Sequence, residues 1–510
     1  MTRSYANHAR AAICFSAIAV IAVAVIRYCQ APSFWLDEAF VAVSLRDPSA
    51  ASIFAPLRYG QYFPRVYLAA IAELRELLGY RIWVLRLLPS VSFIAATILW
   101  ARLLAKRSDR RLAVAMLGGA LLLGGSFWLD QAIQLKQYTL DVLVALIPFS
   151  AGDDFYERAL ADGERKWRLA LLALPCVISY SYPIALGARL IGWYAYRKKS
   201  PESIESRGHH GIQRLNRVAV CLSILLVATG LAVIWITDYR NNQANHAAYL
   251  AYWKGSILSA RLHESVASGL SLIANFIWGW HHGRLMPLMI AAVAPLQALG
   301  LYGVIRRLRN REPGARDGWG SRTIGSLVLL AAVILASALV SYPIAAGRLV
   351  LFAQVHTQIL ILDGALFILG AQPASTRSVL SRKASLIFLY AAVAVVTVYS
   401  VHRYVDFIRS EPVENIRPML SLMIPERSNT VWVHPCSAAQ VESLPEALPV
   451  EHVEIAGKRQ LPQPGEKTWI LWTNLSDDYC REWLDEARSR AVSWEPVHQG
   501  PGRGLALAQY

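Results

Sequence analysis

Two adjacent carboxylates, Asp37 and Glu38, stand in the segment SFWLDEAFVAV, flanked by Phe34, Trp35 and Phe40. Charges in so apolar a setting are costly unless they reach water or serve a function. A carboxylate there can act as a base on an acceptor hydroxyl. The alternative is a solvated helix end within an aromatic belt. A second group is Lys136, Tyr138 and Asp141 in QLKQYTLD. Lys136 either snorkels to the interface or offers a point charge to a phosphate. On a helix, the spacing of Lys136 and Asp141 puts them on different faces, so an internal salt bridge does not easily account for both. A third is Arg348 in SYPIAAGRLVLF, where Tyr342-Pro343 breaks one helix and Arg348 begins the next. Arg348 is an interfacial anchor or a cation for an anionic lipid head group, to which a guanidinium is suited. Two cations and two carboxylates on one face suit transfer from a phosphate-linked donor to a hydroxyl.

Those residues must be positioned by membrane helices. The 510 residues are 55% hydrophobic with a mean hydropathy of +0.34, and 17% are charged, against about 25% in soluble domains. The net charge is +16, but Lys and Arg cluster in short loops between apolar segments. That pattern marks cytoplasmic loops and argues against nucleic acid as a partner. Apolar runs of about 20 residues can each cross the hydrocarbon core. The basic stretch to Arg10, followed by apolar residues at about 11–29 without a small-x-small site, predicts an uncleaved first helix with a cytoplasmic N-terminus.

Later spans are expected at about 83–105, 112–129 and 131–150, two within 169–196, then 218–237, 285–304, 324–341, 349–370 and 385–401. The total is about eleven. Residues 61–79 carry interleaved charges at helical spacing and are expected as an interfacial amphipathic helix. Making them a span would put every basic cluster outside. Residues 238–283 are expected as a long external loop. Lys136 and Asp141 then lie in the fourth span, and Asp37, Glu38, Lys136 and Arg348 all map to the external face. The expected fold is an all-α polytopic membrane domain, 1–402, followed by a small external α/β domain, 403–510. In the latter NTVWVHP, KTWILWTN and GLALAQY read as strands, and SDDYCREWLDEARSR as a helix capped by Ser476. Cys436 and Cys480 can form a disulfide if that domain is external. Cys14, Cys29, Cys176 and Cys221 read as small core residues. No cysteine or histidine spacing is of metal-binding type, which leaves a divalent ion as an option at Asp37 or Glu38.

The motifs resemble those of the GT-C membrane glycosyltransferases, especially bacterial relatives of the protein O-mannosyltransferases (glycosyltransferase family 39) and of the lipid A aminoarabinose transferase. FWLDEAF is similar to the Asp-Glu motif of their first external loop, and GQYFPRVYL to the juxtamembrane helix that follows. LKQYTLDVLVAL is similar to a Lys/Arg-x-Tyr motif, YLAYW to a short motif of a later external loop, and SYPIAAGRLVLF to a Tyr-Pro-Phe-x-x-Arg pattern with Ile344 in place of the aromatic residue. The juxtamembrane segment lacks the His of relatives, and Gln61 stands as its substitute. The resemblance implies a GT-C fold in a bacterial inner membrane. It implies Asp37 as base, with Glu38 orienting the base or the acceptor. Lys136 and Arg348 would hold the donor phosphate, and Gln61, Tyr138, Tyr252 and Trp253 would line the substrate site. The donor would be a polyprenyl-phosphate sugar drawn from the membrane lipid, and the acceptor a glycan, glycolipid or protein. A transporter or flippase, and a non-catalytic membrane subunit, are the competing classes. A transporter would show repeats and broken helices around a midplane site.

Overall fold

A computed structural model of the chain describes residues 2–510 apart from 31, 48–52, 58, 60, 109–110, 125–128, 130, 157–171, 173, 199–220, 222–223, 226–227, 234, 237–239, 241–245, 279–285, 311–318, 345–346, 371–378, 410–414, 426, 435–436, 446–447, 456–459, 474–477 and 501–502. The chain is mostly helical, with a small mixed β-sheet near its C-terminus. Among the described residues six helices are long and apolar enough to cross a membrane, and the chain is a multi-pass membrane protein. They are Asn7–Cys29, Leu87–Arg107, Met286–Arg306, Trp319–Leu339, Leu349–Leu369 and Lys383–Arg409. Leu112–Gly124, Tyr138–Ser150 and Val266–Trp278 are shorter apolar helices. The expected span at 218–237 and much of the fifth fall outside the described residues.

Contacts divide the chain into two compact units. One comprises Met1–Val25, Pro89–Ile133 and Gln137–Phe407. Its helices approach closely through small residues, as apolar helices in lipid must when packing alone holds them. Between Met286–Asn310 and Thr357–Gly370, a Cβ at Gly300 or Gly364 would strike the carbonyl of Leu360 or Leu296. Between Tyr182–Lys198 and Trp319–Leu339, a Cβ at Gly192 would strike the backbone of Ser321 and Gly325.

Several expectations change here. The tenth span is broken: Gly347–Gln354 and Thr357–Gly370 are separate helices either side of Val355 and His356. The ninth begins at Trp319, inside what reads as a basic loop, because Arg322 is buried and donates to the carbonyls of Phe149 (2.7 Å) and Ala151 (3.2 Å). Much of the expected loop 238–283 is helical, as His246–Trp253, Leu258–Glu264 and Val266–Trp278. Its Asn, His, Tyr and Trp content hides the helical spacing of its apolar residues. Cys14, Cys29 and Cys221 are exposed and only Cys176 of the four is buried. In a chain solvated by lipid, an apolar helix face need not point inward.

The other unit comprises Ile26–Leu88, Gln134–Lys136 and Ile408–Tyr510. Its helix Arg65–Leu78 is the expected amphipathic element, trimmed at its start by Pro64. It buries Arg65, Tyr67, Leu68, Ile71 and Ala72 and leaves Glu73, Glu76, Leu77 and Leu78 exposed. Gly79, at φ 83°, ends it in a conformation that glycine adopts without strain. The sheet has strands β1 Thr430–Val433, β2 His452–Ile455, β3 Lys467–Thr473, β4 Ser493–Gly500 and β5 Arg503–Gln509, in the order β2-β1-β3-β5-β4. β1 runs parallel to β2 and β3, while β5 runs antiparallel to β3 and β4.

Alternate residues of β3 serve two cores. Trp469 and Leu471 pack with Ile416, Met419 and Val433, and Ile470 and Trp472 pack with Trp483, Ala487 and Tyr510. The three strands read from sequence are present, and β2 and β4 are additions. β2 is exposed along its length and β4 is largely so, which erases the alternation that marks a half-buried strand. The helix Asp478–Arg490 is present. Its expected cap Ser476, and Cys436 with the side chain of Cys480, lie outside the described residues.

This second unit also binds the loop after the first helix to the C-terminal sheet domain. The Tyr80 hydroxyl donates to the carbonyls of Ala42 (3.1 Å) and Ser443 (2.9 Å). Arg46 donates to the Glu442 carbonyl at 2.6 Å, and the Tyr59 hydroxyl to its carboxylate at 3.2 Å. Asn415 accepts from the Ser33 amide at 2.9 Å, and the Ser33 hydroxyl accepts from the Ile416 amide at 2.9 Å.

Candidate active site

Asp37 and Glu38 occupy the first turn of the short helix Leu36–Ala42, whose N-terminus favours negative charge. Their environments differ. Asp37 is partly exposed, whereas Glu38 is 1% exposed. The Glu38 carboxylate reaches back to the Trp35 amide at 3.3 Å, which closes the start of the helix. Arg86, just past the single helical turn Ile82–Leu85, supplies a fork: Nε to Glu38 Oε1 at 2.9 Å and Nη2 to Oε2 at 2.6 Å. The same guanidinium donates to the carbonyls of Pro32 (2.7 Å) and Ser33 (3.2 Å) and lies 5.1 Å from the Phe34 ring centre. The Leu135 amide donates to Glu38 Oε1. Four donors therefore fill the acceptor sites of one carboxylate. Glu38 fixes this loop, and Asp37 is the partly exposed carboxylate it holds in place.

The Leu135 amide explains why Lys136 does not continue a helix. Residues 132–137 form turns and bends, and the helix starts at Tyr138. Lys136 was expected inside the fourth span. It instead precedes the helix, so the helical spacing to Asp141 does not apply. Its side chain is 3% exposed, and Nζ donates to Gln61 Oε1 at 2.9 Å. Glu38, Leu135, Lys136 and Gln61 thus form one chain of contacts, and Asp37, Glu38, Gln61 and Lys136 belong to one unit.

Tyr138, Tyr252, Trp253 and Arg348 belong to the other unit. Tyr138 is buried at a helix start, and one turn later buried Asp141 accepts from the Ser179 hydroxyl, which lies 3.0 Å from that of Ser181. Tyr342 donates to the Leu349 carbonyl at 2.7 Å, across the turn that precedes Arg348. Burial pushes the Tyr342 phenol well above its ordinary range, and the neighbouring Tyr249, Asp141 and Tyr138 push it further. Tyr342 is therefore a neutral hydroxyl at physiological pH.

The amide of Ile344 donates to the Ser256 carbonyl at 2.8 Å, which ties this turn to the one following YLAYW. Trp253 is half-buried and meets the Tyr252 ring edge-on at 4.8 Å, while Tyr252 is 74% exposed. Arg348 is the second residue of Gly347–Gln354, and its side chain lies outside the described residues.

Sequence reasoning missed Arg86. Its signal was there, as an arginine set among apolar residues in RIWVLRLLPS, but it reads equally as an interfacial anchor. It also missed Ser179 and Ser181. Among the described residues no group of three or more His, Cys, Asp or Glu is gathered as a metal site.

No protein-family model and no curated protein matches the chain. Solved structures similar to it include ArnT from Cupriavidus metallidurans in the apo state. That likeness covers 96% of this chain and 97% of the other, at 14% sequence identity and a TM-score of 0.42.

Proposed function

We propose that the chain is a membrane glycosyltransferase that moves a sugar from a polyprenyl-phosphate donor to an acceptor hydroxyl at the external face, with inversion. The observation that carries this reading is the run of contacts from the Asp37–Glu38 turn through Leu135 and Lys136 to Gln61. It holds a partly exposed carboxylate and a buried ammonium in one unit, two of the charges the reaction uses.

Asp37 takes the proton of the acceptor hydroxyl, whose oxygen attacks the anomeric carbon from the face opposite the lipid phosphate. The bond from that carbon to the phosphate oxygen breaks, and its electron pair leaves with the lipid phosphate. Lys136 and Arg348 stabilise that leaving group, which needs no proton donor. Inversion follows from a single displacement, with one carboxylate activating the nucleophile as in inverting glycosidases. Gln61, Tyr138, Tyr252 and Trp253 contact the substrates, and the polyprenyl chain lies between helices in the bilayer.

The broken tenth span is the one observation that favours a transporter. Its polar residues close onto the protein. Gln354 donates to the Phe276 carbonyl (3.0 Å), His356 lies 3.0 Å from the Ser326 hydroxyl, and Gln358 accepts from Trp100 (2.8 Å). Among the described residues Gln354 Oε1 and His356 Nε2 stay buried without a partner, so packing satisfies these polar groups only in part.

The test is Asp37→Asn, assayed with membranes supplied with a polyprenyl-phosphate sugar, together with a survey of cell-envelope glycans. Transfer is expected to vanish while the variant inserts and unfolds as the parent does. Undiminished transfer would remove Asp37 as the base. A chain whose deletion alters no glycan or glycolipid is not a transferase.

A further inference from the structure

At the end of the Leu87–Arg107 helix, Leu99, Arg102, Leu103 and Lys106 follow one another at helical spacing and share one face. With Ser150 they line a cavity of about 120 Å³. Drug-sized ligands occupy roughly 300–1,000 Å³, so this space suits a single small group. Its walls are apolar at Leu99 and the buried Leu103, and cationic at the exposed Arg102 and Lys106.

The charges there do not cancel. Arg102 and Lys106 stand one turn apart, where like charges repel. Lys106 also carries the positive field of Arg322. The nearby anion, Asp363, is committed elsewhere: it takes Arg107 and accepts from the Thr323 hydroxyl at 2.7 Å. Arg107 and Arg322 both lie over the Trp319 ring, at 5.1 and 4.9 Å from its centre. Among the described residues, neither Arg102 nor Lys106 pairs with a carboxylate.

We infer that this cavity binds a phosphate group, supplied by an anionic phospholipid whose acyl chain runs along the partly exposed Leu99. A basic pocket between helices at a membrane face is the kind of site that holds such head groups. It lies in one unit of the chain, and it is independent of the proposed transfer chemistry. Two exposed side chains that merely snorkel would bind no particular lipid.

Native mass spectrometry of the full-length, delipidated protein tests this, with phosphatidylglycerol, phosphatidylcholine and inorganic phosphate as probes. Phosphatidylglycerol is expected to bind the parent roughly ten- to thirtyfold more tightly than the double variant R102Q/K106Q, from about one charge's worth of attraction per residue. Phosphatidylcholine is expected to show no difference. Arg102→Lys should keep most of the binding, and the unfolding midpoint of the lipid-free double variant serves as the folding control. Equal retention of phosphatidylglycerol by parent and double variant, or equal retention of both lipids by the parent, would overturn the site. Displacement of phosphatidylglycerol by millimolar inorganic phosphate would assign the phosphate to a free ion and overturn the lipid source. Resistance to it supports the lipid.

Discussion

Glu38 is a buried negative charge whose energetic balance rests on Arg86. The pair is 1% and 3% exposed, so each ion has given up its water. Removing one partner strands the other, which typically costs about 3–5 kcal/mol, whereas replacing both with apolar groups is often neutral. Arg86→Met is therefore expected to lower stability by about that amount, and adding Glu38→Leu should recover most of it. Unfolding in detergent would measure both. Lys136 supports a different prediction. If it faces the donor phosphate, Lys136→Gln should lower kcat/KM by roughly ten- to hundredfold, the size of one charge-assisted hydrogen bond, with little change in unfolding. The Asp37-Glu38 pair was visible in the sequence because two carboxylates in an aromatic, apolar setting are conspicuous. Their division into one clamped and one partly exposed group was not, because Arg86 lies 48 residues away.

At the scale of elements, the turn at 132–137 matters most. The segment 131–150, apolar in its second half, reads as one helix by length. The amide of Leu135 is instead spent on Glu38, 97 residues distant, and no local pattern reports such a partner. The tenth span is interrupted at Val355 and His356 by a local tightening of the backbone, where the His356 amide donates to the Ala353 carbonyl at 3.0 Å and the Ile359 amide to the His356 carbonyl at 3.2 Å. The clasp at Tyr80 is open to test by pH. Burial pushes the Tyr80 phenol above its ordinary value of 10.0, so the folded protein keeps a proton that the unfolded chain loses. Its contribution to stability is complete below about pH 10 and drains away as pH rises further. Tyr80→Phe should therefore flatten the fall in Tm above about pH 10. An unchanged slope would show that Tyr80 titrates as it does in the unfolded chain.

At the scale of the molecule, the C-terminal sheet domain anchors the loop that carries the candidate carboxylates. Ser33, Arg46, Tyr59 and Tyr80 all bond to residues between 415 and 443. Truncation after Arg409 is expected to leave the membrane helices inserted but to abolish transfer, measured by membrane extraction alongside the glycan assay. Cysteine labelling should reach a position in the C-terminal domain from outside and one in 197–217 only from inside. The reverse pattern would overturn the proposed orientation.

The sequence by itself determined that this is a multi-pass helical membrane protein ending in a small α/β domain, because run length, hydropathy and strand alternation are local properties of the chain. It also singled out Asp37, Glu38 and Lys136, whose residue types are conspicuous where they stand, while Gln61 came only from the resemblance to the GT-C motifs. Only the tertiary structure decided that these four belong to one unit with the C-terminal sheet, that Arg86 neutralises Glu38, and that Lys136 sits on a turn. Those facts rest on hydrogen bonds between distant residues, and a buried charge takes whichever partner the fold brings to it.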